Sequence, residues 1–391
     1  MAGVLAIALI VLSSQVFAQN QDEEFQKLYQ ELRTNFFKGR YSQALANIEA
    51  LMANLEELKA LIEKEISSQP SSTEKETPYL IAKSALPKPG YPNRVVDTIP
   101  VGQHVEKIAI TPDGKYLYAS VGSSVVVIRT SDKTVVDKIS IGKHHEGIAV
   151  TPNGHYVYLT NHYLSTVSVI RTSDNTVVDT IPVGEWPKGI AITPDGKYAY
   201  VANYRSSTVS VIRTSDNTVV DEISLPKMKD IYGAGVDSMP SQIAIAPNGK
   251  HIYVTNWSSG KVLLIQTSDH SRHRLADNIP VGLNLYPITI TPDGAYVYAA
   301  SLTKGGSVIR TSDNRVVHKF SGWSRIAITP DGKYLYSSGA SEILVIQTSD
   351  NTVVDKISVE DEPGEVVFAP DGKYAYVSQQ YGYDIVIIGF K

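Results

Sequence analysis

The amino-acid sequence predicts an all-β fold, a seven-bladed β-propeller of four-stranded blades, preceded by an α-helical segment. A TPDG-type turn recurs seven times, and four short strand patterns lie within each repeat. The turns begin at positions 111, 151, 193, 246, 291, 329 and 369, so the intervals are 40, 42, 53, 45, 38 and 40 residues. A period near 40 residues with four strands per unit is typical of a propeller blade.

The composition narrows the classes of function. The 391 residues include no cysteine, which excludes a disulfide scaffold, thiolate-bound metals and a cysteine nucleophile. The net charge of −4 removes the global electrostatic reason to expect duplex nucleic acid as the partner. No G-x-S-x-G elbow, P-loop or HExxH helix is present. We therefore expect no cofactor, and a protein that is more plausibly a binding module than an enzyme.

Residues 1–18 have the pattern of a signal peptide. They carry no charged side chain, and the apolar run Ala2–Leu12 is shorter than the ~20 residues that span a bilayer. Val16 and Ala18 stand at positions −3 and −1 of a cleavage site before Gln19. The basic residues that usually precede the apolar run are missing, so an uncleaved anchor is the alternative. We expect a secreted protein, periplasmic or at the cell surface.

Residues 19–66 predict a helical hairpin or coiled-coil arm that turns near Gly39. Apolar residues alternate at steps of four and three along one helix face: Ala44, Ile48, Leu51, Leu55, Leu58 and Ile62. The stretch Gly39–Leu45 resembles the middle of a tetratricopeptide unit, and one such unit cannot bury its own face. We expect this seam to pack on a sister chain, on the propeller, or on another protein of an envelope or filament assembly. Residues 67–93 are rich in Pro and Ser and predict a linker.

Residues 94–391 form the predicted propeller, and counting its parts predicts how the ring closes. The outer-strand pattern occurs seven times, but the TSD turn that precedes it occurs only six times. The chain therefore begins with an outer strand, Arg94–Ile99, and ends with a third strand, Asp384–Phe390. We expect these two strands to share the seventh blade, which leaves no open sheet edge between the first and last blades.

Tyrosine is over-represented, and the repeats predict why. Thirteen of the 23 tyrosines fall in the second strand of a blade. Residues two apart share one strand face, so we expect these rings to pack between neighbouring blades with their hydroxyls on the backbone. A tyrosine redox relay is the alternative.

The repeat sequence resembles the YVTN-type β-propeller family. The resemblance lies in Tyr158-Leu-Thr-Asn161, Tyr200-Val-Ala-Asn203 and Tyr253-Val-Thr-Asn256, within flanks such as ITPDGKYAYVAN, and it covers residues 94–391. It implies a secreted or cell-surface binding or scaffold protein. Some relatives are linked to nucleic-acid binding, and lactonase-like and redox propellers are more distant. The fold alone does not determine the function.

The loops between blades, and between strands two and three, predict where a site lies. They vary within the chain, whereas the TPDG and TSDN turns on the opposite face are nearly uniform. The loop at 225–242 is the longest departure from the repeat and is either a lid over the channel mouth or a tolerated surface loop. Aromatic and basic side chains on the variable face suit stacking on a ligand, and the alternative is that they fill the channel mouth. The candidate residues are His104, His144, His145, His162, Tyr163, Trp186, Lys188, Tyr204, Arg205, Tyr232, Trp257, Tyr286, Trp323, Arg325 and Tyr381.

The sequence favours a secreted, non-catalytic binding or scaffold module whose partner is a protein or a second copy of the chain. A channel-sited enzyme of the lactonase or redox type is the second hypothesis, and a single-stranded nucleic-acid binder is the third. Four histidines on adjacent blades, His104, His144, His145 and His162, suggest copper or zinc, but their spacing lacks a ligand motif, so we expect no metal. The acidic stretch 360–365 is expected to be solvated or ion-paired.

Overall fold

The computed structural model describes residues 90–142, 144–229, 235–270, 272–282, 284–301, 305–322 and 325–390. The predicted signal peptide at 1–18, the helical arm at 19–66 and most of the linker at 67–93 lie outside the described residues. Within the described part, no helix is long and apolar enough to cross a membrane.

The described residues form seven four-stranded antiparallel sheets and one two-stranded hairpin. Blades one and two contain β2 (Val105–Ile110), β3 (Tyr116–Val121), β4 (Ser124–Arg129), β5 (Thr134–Ser140), β6 (His145–Val150), β7 (Tyr156–Asn161), β8 (Thr166–Arg171) and β9 (Thr176–Pro182). Blade three contains β10 (Pro187–Ile192), β11 (Tyr198–Asn203), β12 (Thr208–Arg213) and β13 (Thr218–Ser224), and the hairpin pairs β14 (Met228–Lys229) with β15 (Gly235–Val236). A short 3₁₀ helix, His162–Leu164, follows β7.

The remaining blades repeat the same order. Blades four and five contain β16 (Pro240–Ile245), β17 (His251–Asn256), β18 (Lys261–Thr267), β19 (His273–Pro280), β20 (Leu285–Ile290), β21 (Tyr296–Ser301), β22 (Gly306–Arg310) and β23 (Arg315–Phe320). Blades six and seven contain β24 (Arg325–Ile328), β25 (Tyr334–Gly339), β26 (Glu342–Gln347), β27 (Thr352–Ser358), β28 (Pro363–Phe368), β29 (Ala375–Gln379), β30 (Asp384–Gly389) and β1 (Arg94–Pro100). The seven-bladed propeller predicted from the repeats is confirmed.

The TPDG turns are held by their own side chains. In the first turn, the Thr111 hydroxyl donates to Asp113 Oδ1 at 2.7 Å and accepts from the Tyr116 amide at 3.0 Å. Gly114 has φ +71°, which glycine adopts without strain, and its carbonyl accepts from the Thr130 hydroxyl at 2.6 Å. Thr130 belongs to the neighbouring TSD turn, so the two uniform turns of a blade are tied together. The nearly uniform sequences of these turns therefore reflect their structural role.

The N-terminal strand closes the ring, as predicted. β1 pairs antiparallel with β30, with Ile99 opposite Ile385. Ile99 is buried in a core cluster that includes Leu117 of blade one. Tyr91, from the end of the predicted linker, is also buried, and its ring lies 4.3 Å from that of Tyr334. The closing segment is therefore part of two inter-blade cores.

The second-strand tyrosines pack between blades, as predicted, but their hydroxyls have different partners from those expected. The Tyr158 hydroxyl donates to Asn217 Oδ1 of the next blade at 2.6 Å, and two more blades repeat this bond. Each such asparagine occupies the last position of a TSDN turn, with positive φ. The backbone is the acceptor at blade six, where the Tyr336 hydroxyl donates to the Pro92 carbonyl. Blade seven has no TSDN turn, so the residues before β1 take its place.

Candidate functional site

The inner strands place polar side chains at the mouth of the central channel, on the face of the inter-blade loops. The set contains one residue from each of six blades: Lys107, Glu146, Lys188, Tyr286, Arg325 and Glu365, which we call the axial cluster. Two glycines in these strands allow close packing around the axis. A Cβ on Gly147 would lie 2.4 Å from the Lys188 carbonyl oxygen, and one on Gly189 would lie 2.7 Å from Gln242 Cα. The strands can therefore approach only where a side chain is missing.

One side of the axial cluster is an ion-pair network. Lys107 is 5% exposed and bonds to Glu365 through its ammonium group. Arg325 Nη1 lies 3.7 Å from the same carboxylate oxygen of Glu365. Burial alone would lower the pKa of Lys107, but the attraction of Glu365 raises it above the ordinary value. Lys107 is therefore a permanent, inaccessible cation, and the prediction that the acidic stretch is ion-paired holds for Glu365.

Tyr286 reaches across the axis of the channel. It comes from blade five, and its hydroxyl donates to Glu146 Oε2 of blade two, across the ring, at 2.8 Å. Its ring lies between two lysines, with Lys107 Nζ at 5.5 Å and Lys188 Nζ at 5.7 Å from the centroid. Burial alone would raise the pKa of Glu146, but the two ammonium charges and the Tyr286 hydroxyl lower it, so this carboxylate stays ionised at neutral pH.

Among the described residues, Lys188 is the one cation of the axial cluster with no carboxylate in ion-pair distance. No described carboxylate lies within 4.0 Å of its Nζ, which lies over the face of the Tyr204 ring, 4.2 Å from the ring centroid. Burial lowers the pKa of Lys188, although the charge of Glu146 opposes this shift. Lys107 and Arg325 share the carboxylate of Glu365, and Glu146 is the carboxylate whose charge acts on Lys188.

A row of rings extends outward from Lys188 over blades three and two. Tyr204 stacks on Trp186 with ring centroids 6.5 Å apart and planes 16° apart. Trp186 contacts His162 at 5.1 Å, His162 contacts Tyr163 at 4.9 Å, and Tyr163 contacts His144 at 4.7 Å. We call these five residues the aromatic ladder. Its rings are neighbours in space although they come from four separate loops.

Two members of the aromatic ladder have a strained backbone. His144 has φ +63° and Trp186 has φ +54°, and each residue directly precedes an inner strand. Side chains of this size rarely adopt that conformation, which persists only where the surroundings fix it. In both blades the carbonyl of the strained residue accepts a backbone N–H from the other loop, that of His162 or Tyr204, at 3.0 Å. Asn284 and Glu362 also have positive φ directly before an inner strand, so this conformation belongs to the repeat, and in blades two and three it places a ring at the channel mouth.

The edge of the ladder carries a charged pair. Arg205 Cζ lies 5.0 Å from the Trp186 ring centroid, and Arg205 Nε lies 3.5 Å from Glu185 Oε2. Both side chains of this pair are exposed. Tyr163 is 61% exposed, so the outer rungs of the ladder are open to a partner.

The described residues do not assemble the four histidines into a metal site. His104 is exposed, whereas His145 is buried with no hydrogen-bond partner for either ring nitrogen. Glu106 lies 3.9 Å from His145 Nδ1, too far for a hydrogen bond, and burial lowers the pKa of His145 to about 4. Within the described part of the chain, no group of three or more His, Cys, Asp or Glu residues is placed to hold a metal ion.

The other predicted residues are dispersed. Trp257 is partly buried and, among the described residues, has no ring contact with the aromatic ladder, whereas Tyr381 is 70% exposed. Tyr232 and Trp323 lie outside the described residues. The base of the long loop forms the β14–β15 hairpin, which is bordered by an ion pair of 3.0 Å between Lys227 and Asp237.

A separate depression lies at the junction of blades four and five. Its volume is about 390 Å³, and its lining residues include Lys261 and Lys319. None of its lining residues belongs to the axial cluster or the aromatic ladder.

Sequence reasoning missed Lys107 and Glu146 as site residues and treated Glu365 only as part of an acidic loop. A signal was present, because each is a charged residue just before the apolar end of an inner strand. The seven inner strands show this only when they are aligned with one another. Within the sequence of a single strand, each of these charged residues looks like an ordinary polar residue near a strand end.

Comparison with known proteins supports the fold and gives a partial family match. A family model described as "Lactonase, 7-bladed beta-propeller" matches residues 124–220, which run from β4 to β13 and include Glu146, Trp186 and Lys188. No curated protein matches the chain. The YVTN-type resemblance stays a prediction.

Two solved structures are similar in fold. Kuenenia stuttgartiensis hydrazine synthase has 22% sequence identity and a TM-score of 0.62, with 82% of this chain and 99% of that chain covered. The β-propeller domain of Myceliophteria thermophila Cps50 (Swd1) has 14% identity and a TM-score of 0.64, with 76% and 99% covered. At these identities the likeness concerns the fold alone.

Proposed function

We propose that the protein is a binding module that holds its ligand or partner at the channel mouth, on the face of the inter-blade loops. One observation carries the proposal: the aromatic ladder ends at Lys188, a cation with no carboxylate in ion-pair distance, beside the Tyr286 side chain that crosses the channel axis. Partly exposed rings on a rigid scaffold, next to an unpaired charge, are the usual elements of a recognition site.

The charge pairing and hydrogen bonding within the axial cluster favour ligand binding over catalysis. Lys107 and Glu365 neutralise each other, and Glu146 is ionised and accepts the Tyr286 hydroxyl. These groups hold one another in place. Lys188 and the aromatic ladder are the parts of the site that face outward and are left for a ligand.

An array of glycans, peptides and oligonucleotides tests this proposal. We expect at least one class to bind the full chain, and we expect the double variant Trp186→Ala, Tyr204→Ala to weaken that binding by at least about tenfold, since two stacking surfaces are lost. The control is Tyr381→Ala, which removes an exposed ring outside the aromatic ladder. Binding that the double variant leaves unchanged would contradict the proposal. Binding of oligonucleotides alone, weakened by salt, would favour the nucleic-acid alternative.

The partial lactonase match favours one second candidate function, hydrolysis of a lactone at the same site. This reaction adds water across the acyl–oxygen bond and gives a hydroxy acid. Glu146 is ionised and can accept a proton from that water, and Lys188 can bind the carboxylate that forms. Acid release from γ- and δ-lactones, followed by pH-stat, tests this. Activity lost in Glu146→Gln would support hydrolysis, and no acid release above the uncatalysed rate would exclude it for those substrates.

The N-terminal predictions complete the proposed function. We propose that residues 1–18 direct export, that the part of the predicted linker before Gly90 joins the predicted arm to the propeller, and that the seam containing Leu51 and Leu55 joins copies of the chain or attaches it to an envelope assembly. The apolar run, the composition of the linker and the four–three spacing support these proposals.

A further inference from the structure

We infer that the ligand of the channel mouth carries a carboxylate on a ring, with the carboxylate bound by Lys188 and the ring lying against Trp186 and Tyr204. This inference rests on the proposed function, because it names the ligand chemistry of the same site. It follows from the charge, the access and the ring geometry of the described residues.

The surroundings of the Lys188 ammonium group favour an anion beside it. Lys107 and Arg325 both face Glu365, and Glu146 accepts the Tyr286 hydroxyl. Lys188 Nζ lies over the ring of Tyr204 and near that of Tyr286, the charge of Glu146 acts on it from beyond ion-pair distance, and burial works against its charge. A partly buried cation with no direct ion pair is unfavourable, and an incoming anion lowers that cost.

The carboxylate of Glu146 favours a monoanion at Lys188. Glu146 is ionised, and its charge acts on Lys188 from the axis. A phosphate dianion would bring two negative charges towards that carboxylate, whereas a carboxylate brings one. A carboxylate also accepts charge-assisted hydrogen bonds from an ammonium group in a compact geometry.

The position of the rings determines what the carboxylate is attached to. Lys188 Nζ lies over the Tyr204 ring at 4.2 Å, and Trp186 is nearly parallel to Tyr204. An acid bound at Nζ therefore has its adjacent atoms beside the Tyr204 ring, with Trp186 as the next ring of the stack. A planar aryl ring or the apolar face of a sugar ring fits such a surface, whereas a flexible chain gains less from it.

Isothermal titration calorimetry with matched acids and neutral analogues tests the inference on the full chain. The probes are benzoate against benzamide, and glucuronate against glucose. We expect at least one acid to bind about tenfold or more tightly than its neutral analogue. Lys188→Met should abolish this preference, while Lys261→Met, which removes a lysine from the depression between blades four and five, should keep it.

Proton linkage gives a second readout that loss of folding would not imitate. Because burial lowers the pKa of free Lys188, an anion that binds raises it again. Above neutral pH, binding should therefore take up protons, seen as a heat that depends on the buffer, and affinity should fall as the pH rises through the Lys188 pKa. Lys188→Met should show neither effect.

The outcomes separate this inference from the proposed function. An acid preference that survives Lys188→Met, or neutral analogues that bind as tightly as the acids, would overturn the inference. So would the absence of heat for both acids at about 10 mM. The array experiment with the Trp186→Ala, Tyr204→Ala variant would still decide whether the aromatic ladder is a binding surface. Tighter binding of benzoate or of glucuronate would identify an aryl acid or a sugar acid as the source.

Discussion

The strand that closes the ring can be tested energetically through Ile99. This side chain is 1% exposed and packs in one core cluster with Leu117 and Ile128 of blade one. Ile99→Ala removes three carbon atoms, worth about 2.4 kcal/mol in transfer at about 0.8 kcal/mol per methylene. The cavity left behind brings the expected loss to about 3–4 kcal/mol.

Two matched variants set the scale for this loss. Ile181→Ala removes the corresponding residue of β9, which is 3% exposed in a blade formed by one continuous segment, and should cost the same within about 1 kcal/mol. Val96→Ala removes part of a side chain that is 41% exposed on β1 itself, and should change stability by at most about 0.5 kcal/mol.

The assay is urea unfolding, followed by tryptophan fluorescence and far-UV circular dichroism. A shift in the urea midpoint reports a change in stability when the dependence of the unfolding free energy on urea concentration is unchanged. A loss below about 1 kcal/mol for Ile99→Ala, alongside a loss near 3 kcal/mol for Ile181→Ala, would refute the reasoning. It would mean that β1 frays from blade seven without cost to the ring.

Three further predictions concern the rim and the arm. Burial lowers the pKa of His145 to about 4, so the unfolded chain takes up a proton at a higher pH than the folded chain does. The free energy of unfolding, measured with urea, should therefore fall by up to about 3 kcal/mol as the pH falls from about 6.5 to about 4. A His145→Phe variant that keeps the pH dependence of the wild type would contradict this. Gly184→Ala would place a Cβ 2.7 Å from Asn203 Cγ and should cost about 1–3 kcal/mol in the same assay, whereas Gly235→Ala, with nothing within 4 Å, should cost less than about 1 kcal/mol. Leu51→Asp with Leu55→Asp should lower the mass measured by light scattering, and an unchanged mass would remove self-association through the seam.

Most of the fold could be predicted from the sequence repeats. A turn such as Thr111–Gly114 has its Thr, Asp and Gly in contact within a few residues, so its sequence predicts its structure. The imbalance between outer strands and TSD turns predicted the shared blade in the same way. The partners of the tyrosine hydroxyls could not be predicted, because Asn217 is 59 residues from Tyr158 and meets it only in the assembled ring.

The candidate site was predicted as a face but not as an arrangement. Trp186, Tyr204 and Lys188 were assigned to the variable loops, and the structure brings them together. The sequence could not show that Tyr286 crosses the axis to Glu146, since they are 140 residues apart. A convergent set of single residues, one from each of six blades, has no local spacing to detect.

The recognition site is tested most directly by a crystal structure of the protein with bound benzoate or glucuronate, whichever of the two acids binds more tightly. We predict a carboxylate oxygen within about 3.2 Å of Lys188 Nζ, with the ring of the acid against Trp186 and Tyr204. An acid bound on the face of the TPDG turns, or in the depression beside Lys261, with none at Lys188, would contradict a recognition site at the channel mouth.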